Sequence, residues 1–584
     1  FVGNRAYSDR RLRRVLQTKQ AGLLRTFIRA DTLIEDRIEF DKQVLTDFYL
    51  SRGYVDFRVN STNVELTEER DGFFLVINVQ EGQQFKFGQV STLSEFPGVD
   101  AGPYQESMRI RPGVVYSPAL IESTIARMER LAVRDGVDFL RVEPRVVRND
   151  RDLTLDVEFV LTRGPRIFVE RIDIEGNTTT LDQVIRRQFR VVEGDPFNPR
   201  EIRQSAERIR ALGFFTDAAV DVREGSSSDQ VLVDVEVTEQ PTGSLNLGGS
   251  FSRNDGFGIA IGLTERNFLG RGQSIGFRWA TTEDNAAYTV SFSEPALLGR
   301  DLRFDLGVGY TEEDSNFAAY DSERVFFLPQ LTFPLGERSR LSLRYFYDDT
   351  EMLTRTGAIT SATINNEIAQ GALSSSGLGY TFAFDSRLSG LDPNAGVLVE
   401  LSQDFAGLSG DNQYIKTTAK VIAQRLVLNE EVTLRASFEG GALAWRGNTF
   451  SRITDRFLLG SSIMRGFEPA GIGPRDQSGG ADDALGGNLY AVARFEAEFP
   501  LGLPEELGIR GGLFYDIGNL WDLSNVNTAG GTIVGESGSA RQVIGLSVFW
   551  DTPIGPLRFN FTNALRKESF DKEQSFDFTL STQF

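Results

Sequence analysis

The chain contains neither cysteine nor histidine. Disulfides, Cys or His metal sites and every mechanism that rests on an imidazole are therefore excluded. An enzyme barrel of the phospholipase or protease kind fails on the same absence, and no catalytic residue, metal or cofactor is expected. No apolar run approaches the roughly 18 residues of a transmembrane helix. No stretch has the form of a signal peptide. Positive charge is also short: the net charge of −20 argues against a nucleic-acid partner, which is bound chiefly through its phosphates. What is abundant is glycine, 58 residues, mostly beyond residue 240. The chain of 584 residues is too long for one ordinary domain.

Residues 241–584 show almost only period-two alternation, the mark of strands with one apolar and one polar face. Phe257/Ile259/Ile261/Leu263, Leu302/Phe304/Leu306/Val308/Tyr310 and Leu378/Tyr380/Phe382/Phe384 are clear cases. The opposite parity is Gly, Ser, Thr, Asn and charge. A soluble sandwich rarely sustains so many strands in one domain. A membrane strand takes about 9–11 residues plus its turns, so this length fits an antiparallel transmembrane β-barrel of about 16 strands. The chain ends on such a strand: Phe576, Phe578, Leu580 and Phe584 share one parity, Asp577, Thr579, Ser581 and Gln583 the other. In a soluble sheet this would be an edge, and edges are usually blunted by Lys, Pro or a bulge. Closure of a barrel removes the edge.

Residues 1–240 mix helical and strand patterns and repeat. A helix ends in a glycine turn at Ser51-Arg52-Gly53-Tyr54, Arg134-Asp135-Gly136-Val137 and Ala211-Leu212-Gly213-Phe214, about 80 residues apart. Each turn leads to two strands. Two units open alike, with Gly3-Asn4 and Gly176-Asn177. The expectation is three α+β modules of order β-α-α-β-β at 1–82, 83–164 and 165–240, followed by the barrel at 241–584. The strands at 73–79 and 231–237 read as open edges to which an extended chain can pair.

Three such modules before a barrel resemble the Omp85 superfamily with its POTRA (polypeptide-transport-associated) domains. The sharpest marker is Met464-Arg465-Gly466-Phe467, similar to the family's Val-Arg-Gly-Phe/Tyr loop motif, with Met for Val. Asn267-Phe268-Leu269-Gly270-Arg271-Gly272 and Trp550-Asp551-Thr552-Pro553-Ile554-Gly555-Pro556-Leu557 support it. The closest likeness is to the branch that assembles outer-membrane proteins. The resemblance implies two further modules and a signal peptide upstream of Phe1, which opens like the middle of a strand. It also implies residence in the bacterial outer membrane with the modules in the periplasm. The implied partners are unfolded β-barrel clients, outer-membrane lipids, accessory lipoproteins and periplasmic chaperones. A TamA-type assembly factor and a two-partner secretion pore are the rivals within the superfamily.

Parity sends Glu496 and Asp516 toward the lumen, because Phe495, Phe499, Leu513 and Tyr515 take the outer face. The residues alone leave two readings of Arg465 open, an exposed turn or a buried cation that needs carboxylates. The resemblance implies the second: a latch of Met464, Arg465, Gly466 and Phe467 on Glu496 and Asp516. Gly248 and Gly249, with Leu245 and Leu247, mark a weak first strand. Facing Phe576, Phe578, Leu580 and Phe584, it would form a lateral seam that a client strand can join by backbone pairing. Glu193 falls where the family places an accessory-protein contact. Asp348-Asp349, Glu312-Glu313-Asp314, Asp482-Asp483 and Glu505-Glu506 read as solvated loop charges.

Overall fold

In a computed structural model, the described residues are 1–18, 35–66, 73–252, 256–282, 285–313, 319–336, 338–355, 357–387, 395–503, 507–552 and 555–583. They form two compact units, Phe1–Gln240 and Pro241–Phe584. The first holds three small sheets. One combines helices α1 (Asp9–Val15) and α2 (Glu35–Leu50) with strands β1 (Arg58–Leu66) and β2 (Phe73–Gln80). The next runs β3 (Lys86–Ser94), α3 (Gly102–Ser107), α4 (Pro118–Arg134), β4 (Leu140–Asn149) and β5 (Thr154–Arg163). The third runs β6 (Phe168–Glu175), α5 (Asp182–Arg186), α6 (Pro199–Ala211), β7 (Phe215–Glu224) and β8 (Gln230–Glu239).

Local chemistry sets the helices. The Asn198 side chain accepts from the Arg200 and Glu201 N–H groups, Pro199 opens α6, and Ile202, Ala206 and Ile209 bury one stripe. In α4 the buried stripe is Ile121, Ile125, Met128 and Ala132. That face packs on Phe87, Val142, Val157 and Phe159 of its sheet.

The paired openings share one device. Gly3 and Gly176 sit at φ +97° and +89°, and a Cβ on either would collide with a carbonyl oxygen, that of Val79 or Val237. Asn4 Nδ2 donates to the Tyr7 carbonyl at 3.0 Å, and Asn177 Nδ2 to the Thr180 carbonyl at 2.9 Å. A glutamate at the far end closes each turn: Ala6 N–H donates to Glu81 at 3.1 Å, and Thr180 N–H to Glu239 at 2.6 Å. Burial pushes the Glu239 carboxyl up, but hydrogen bonds from Thr180, Thr178 and Thr179 outweigh it and hold it at about 2.

One expectation is corrected here. The strand at 231–237 is not an edge, because β8 lies between β6 and β7. The first strand of the sheet runs parallel beside the last and covers it. β5 is central in the same way. Val2 bridges onto β2 in parallel at Asn78, which leaves only the earlier part of β2 open on that side among the described residues.

The second unit is a closed antiparallel barrel of sixteen strands. In chain order they are β9 (Gly243–Ser252), β10 (Gly256–Phe268), β11 (Gln273–Thr281), β12 (Asn285–Glu294), β13 (Arg303–Glu313), β14 (Tyr320–Pro334) and β15 (Ser339–Thr354). Helix α7 (Ala362–Ile368) follows β15. Then come β16 (Leu373–Asp385), β17 (Gly396–Gly410), β18 (Tyr414–Val427) and β19 (Val432–Trp445). After the short β20 (Arg475–Asp476) and β21 (Asp483–Ala484), β22 (Leu489–Pro500) and β23 (Ile509–Trp521) resume the wall. The short β24 (Ile533–Val534) precedes β25 (Arg541–Thr552), β26 (Gly555–Arg566) and β27 (Phe576–Gln583). The three short strands make a separate small sheet, and β27 pairs back onto β9.

Phe257, Ile259, Leu263, Phe277 and Val290 on the outer parity are exposed. Ion pairs such as Arg344–Asp404 at 2.5 Å and Lys420–Glu439 at 2.8 Å occupy the inner parity. An apolar outside around a charged inside suits a wall solvated by lipid.

Three of the paired acids differ from the solvated loop charges expected. Asp348 lies within β15 and accepts from Arg324 Nε at 2.7 Å, and Glu312 and Glu313 end β13. Asp483 accepts from the Ser361 N–H at the start of α7 at 2.7 Å. Asp482 holds Arg475 at 3.0 Å and Lys572 at 3.1 Å. Asp348, Asp482 and Asp483 are thus engaged by an arginine, by two cations and by a helix start, while Glu312 and Glu313 stay exposed at the strand end. Asp314, Glu505 and Glu506 lie outside the described residues.

Candidate functional site

The long connection between β19 and β22 folds against the inner wall. Phe457 and Gly487 exchange backbone hydrogen bonds, both at 3.0 Å, so the segment leaves and rejoins the wall as a pair. Its Leu459, Met464, Phe467 and Ile472 are buried against Tyr490, Val492, Phe514, Leu520 and Val543, residues of β22, β23 and β25. Met464 and Phe467 are thus apolar anchors on either side of Arg465. Gly466, at φ +90°, lets the chain turn between them, and a Cβ there would lie 2.8 Å from Val543 Cγ1.

Arg465 is 5% exposed. Its Nε donates to Asp516 Oδ2 at 2.8 Å and its Nη2 to Asp516 Oδ1 at 2.5 Å. Its backbone N–H reaches the same Oδ2 at 3.2 Å. Nη1 donates to Glu496 Oε2. The guanidinium lies over the Phe514 ring, 3.6 Å from its centroid. A two-point fork, a second carboxylate and an aromatic face together satisfy a cation that burial would otherwise penalise by several kcal/mol.

The structure brings together Met464, Arg465, Gly466, Phe467, Glu496 and Asp516. It also adds residues that sequence reasoning missed. Glu496 accepts from Arg558 Nη2 at 2.8 Å and from Arg435 Nη1 at 3.1 Å, so three guanidinium groups share one carboxylate. Phe514 was missed because a bulky aromatic on the inner parity breaks the alternation of β23. That break was the available signal. Arg435 and Arg558 also stand on inner parity, beside Leu434 and Phe559 of the outer face.

The loop is gripped a second time nearer the ends of the long connections. Arg456 and Glu367 of α7 are both fully buried and pair at 2.6 Å. Arg452 Nη1 donates to the Thr350 and Gly371 carbonyls at 3.0 Å each. Asp476 receives the Thr363, Ser478 and Thr532 N–H groups at 3.0, 2.9 and 2.8 Å. Burial raises the Asp476 carboxyl, but these bonds and the Thr363 hydroxyl prevail and hold it at about 2.

The β27–β9 ladder runs from Thr579–Ser252 to Gln583–Gly248. Among the described residues, Gly243–Leu247 pair with β10 alone. Gly248 and Gly249 face Gln583 and Thr582. Leu245 and Leu247 are exposed. Phe576 and Phe578 stack on Phe561 and Phe559 of β26, with centroids 5.3 and 4.9 Å apart. The backbone of Leu580 pairs with both Leu557 and Phe251, and Phe584 lies outside the described residues. In this register Phe578 is not level with Leu247. Glu193, on the other unit, is half-exposed and pairs with Arg186 at 2.6 Å. Among the described residues no group of three or more carboxylates gathers to hold a metal ion.

Residues 267–584 match the family model of the Omp85 superfamily domain. Residues 1–82 and 167–240 match the POTRA model, described as a surface antigen variable number repeat. The outer membrane protein assembly factor BamA of Neorickettsia risticii is 28% identical over the whole chain and 77% of its own length. That of Neisseria meningitidis serogroup B is 25% identical with the same coverage. A sorting and assembly machinery component 50 homolog of Xenopus laevis is 25% identical over 67% of the chain and 82% of its own length. The fold is similar to the crystal structure of Haemophilus ducreyi BamA lacking POTRA domains 1–3, with TM-score 0.63 and 20% identity. That likeness covers 86% of this chain and all of the other.

Proposed function

The chain belongs to the Omp85 superfamily, and on that premise we propose that it is a BamA-type assembly factor that inserts β-barrel proteins through the β27–β9 seam. The protein is an outer-membrane β-barrel with periplasmic POTRA modules, in keeping with relatives named as outer membrane protein assembly factors across its full length. In this reading 1–82, 83–164 and 165–240 are the modules and 241–584 is the barrel. The carrying observation for the seam is the short ladder from Thr579–Ser252 to Gln583–Gly248, with two glycines in it and Gly243–Leu247 beyond it.

A client strand would add to the side of Gly243–Leu247 that β27 leaves open among the described residues, by backbone hydrogen bonds, and be templated in register. No nucleotide or catalytic group is required, because folding of the client supplies the free energy. The Arg465 cluster acts as the latch that keeps the wall of β22, β23 and β26 rigid while the seam yields. The exposed Val64, Leu66, Phe73 and Phe74 on β1 and β2 offer unfolded clients an apolar surface. Glu193 is the proposed contact for an accessory lipoprotein, whose basic group would compete with Arg186.

The test is a disulfide across the seam, Gly248→Cys with Gln583→Cys, in a chain with no other cysteine. The protein is reconstituted in liposomes with its accessory factors and given an unfolded barrel client. Oxidation is expected to stop insertion and reduction to restore it. Insertion that ignores a verified crosslink would overturn the seam, and a reduced protein that inserts no client would favour a secretion pore.

A further inference from the structure

The lumen side of the last strands carries one continuous chain of hydrogen bonds. It begins with Arg465 on Glu496. Arg558 Nη2 donates to Glu496 Oε2 at 2.8 Å, and Arg558 Nε donates to Asn560 Oδ1 at 3.0 Å. Asn560 Nδ2 then donates to Asp577 Oδ2 at 3.2 Å. Ser547 on β25 donates to the same Asn560 Oδ1 at 2.7 Å. Asn560 and Asp577 are ladder partners across β26 and β27, 3% and 8% exposed. A second link is made by backbone: Gln574 N–H donates to the Gly466 carbonyl at 3.0 Å, and the Thr562 hydroxyl to the Gln574 carbonyl at 2.7 Å.

The links weaken in order. Arg465 holds Asp516 by a charged fork. Arg558 joins a carboxylate to a neutral amide. The last step joins that amide to a carboxylate at the long end of hydrogen-bond range. Among the described residues no cation pairs with Asp577. A buried carboxylate held this way is costly and gives little static stability. Its geometry suits a tie between two parts that shift together.

We infer that Asn560 and Asp577 are positioning residues that couple the Arg465 latch to β27, so that unseating the loop loosens the last strand from β9. The inference rests on reading the β27–β9 ladder as the working seam. Asn560 stands between the two ends of the relay: it takes the Arg558 proton donor on one side of its amide and offers its own donor to β27 on the other.

The experiment follows disulfide formation between Gly248→Cys and Gln583→Cys in the full chain in liposomes under a mild oxidant. Arg465→Lys and Asn560→Leu should each slow the crosslink about threefold or more, and together no more than the stronger alone, because both break one chain. The exchange Asn560→Asp with Asp577→Asn keeps a donor and acceptor at each step and should restore the parental rate, which a general packing defect would not allow. Barrel integrity is checked in parallel by heat-dependent gel mobility. Multiplying effects in the double variant, or a parental rate in an intact Asn560→Leu protein, would overturn the coupling. A client-insertion arm keeps the two readings apart. Insertion through a locked seam sinks the seam, while the crosslink rates still decide the coupling.

Discussion

The barrel is closed in two places by opposite means. Around Arg465 the closure is made of side chains: two carboxylates and an aromatic face converge on one buried guanidinium, and the Arg465 backbone N–H donates to one of those carboxylates. At β27 and β9 it is a backbone ladder over Gly248–Ser252 and Thr579–Gln583. No titratable residue lies in either of those segments. The first arrangement has one geometry and a high penalty for leaving it. The second is a ladder of backbone pairs, which in the proposed function a client strand would replace on one side. The proposed opening at the seam would draw on both.

Removing the latch is the largest blow to this contrast. Arg465→Ala leaves Asp516 buried without its cation and should cost ~3–5 kcal/mol, read as a fall in the denaturant midpoint of the barrel. Client insertion should fall with it. If stability holds and insertion is normal, the side-chain closure is dispensable. Gly466→Ala is expected next in size, about 1–3 kcal/mol, from a positive φ and the contact with Val543. A smaller loss would mean that β25 gives way locally.

Acid separates the side-chain grip on the loops around α7 from the seam without any substitution. The Asp476 carboxyl sits at about 2, below its value of about 4 in an unfolded chain. A folded-state pKa that is depressed adds stability above pH ~4, which drains away as the pH falls toward 2. Between those values the loops around α7 should become open to proteolysis. Crosslinking between Gly248→Cys and Gln583→Cys, scored with a pH-independent oxidant, should change far less. Asp476→Asn should remove most of the loop response. Smallest of all, Gly248→Ala should stiffen the first strand by about 0.5–1 kcal/mol and slow exchange at the seam. An acceleration would show that the glycine is not what weakens it.

The wall was legible because lipid imposes a strict period of two, and that period also sent Glu496 and Asp516 inward. The lumen was less legible. Phe514, Val492 and Val543 face inward as a floor for the folded loop, and a strand pattern does not say that a distant loop will cover its polar side. Arg435 was hidden because its ladder pairing with Glu496 spans the long loop between β19 and β22, and Arg558 because it reaches Glu496 past β23 and β25. The register at the seam was not legible, because no turn joins β27 to β9 and nothing local fixes their offset. The strand at 231–237 was taken for an edge because a parallel neighbour from the start of the module leaves no mark in the strand itself.

That parallel neighbour has a consequence for length. In the second and third sheets the first strand lies alongside the last and points the same way. The polymer therefore departs from the opposite end of the sheet to the one at which it arrived. Each copy advances the chain by the span of about eight strand residues, roughly 25–30 Å. Copies added in tandem lengthen the path of the chain and leave each sheet unchanged, so that path becomes a matter of counting units.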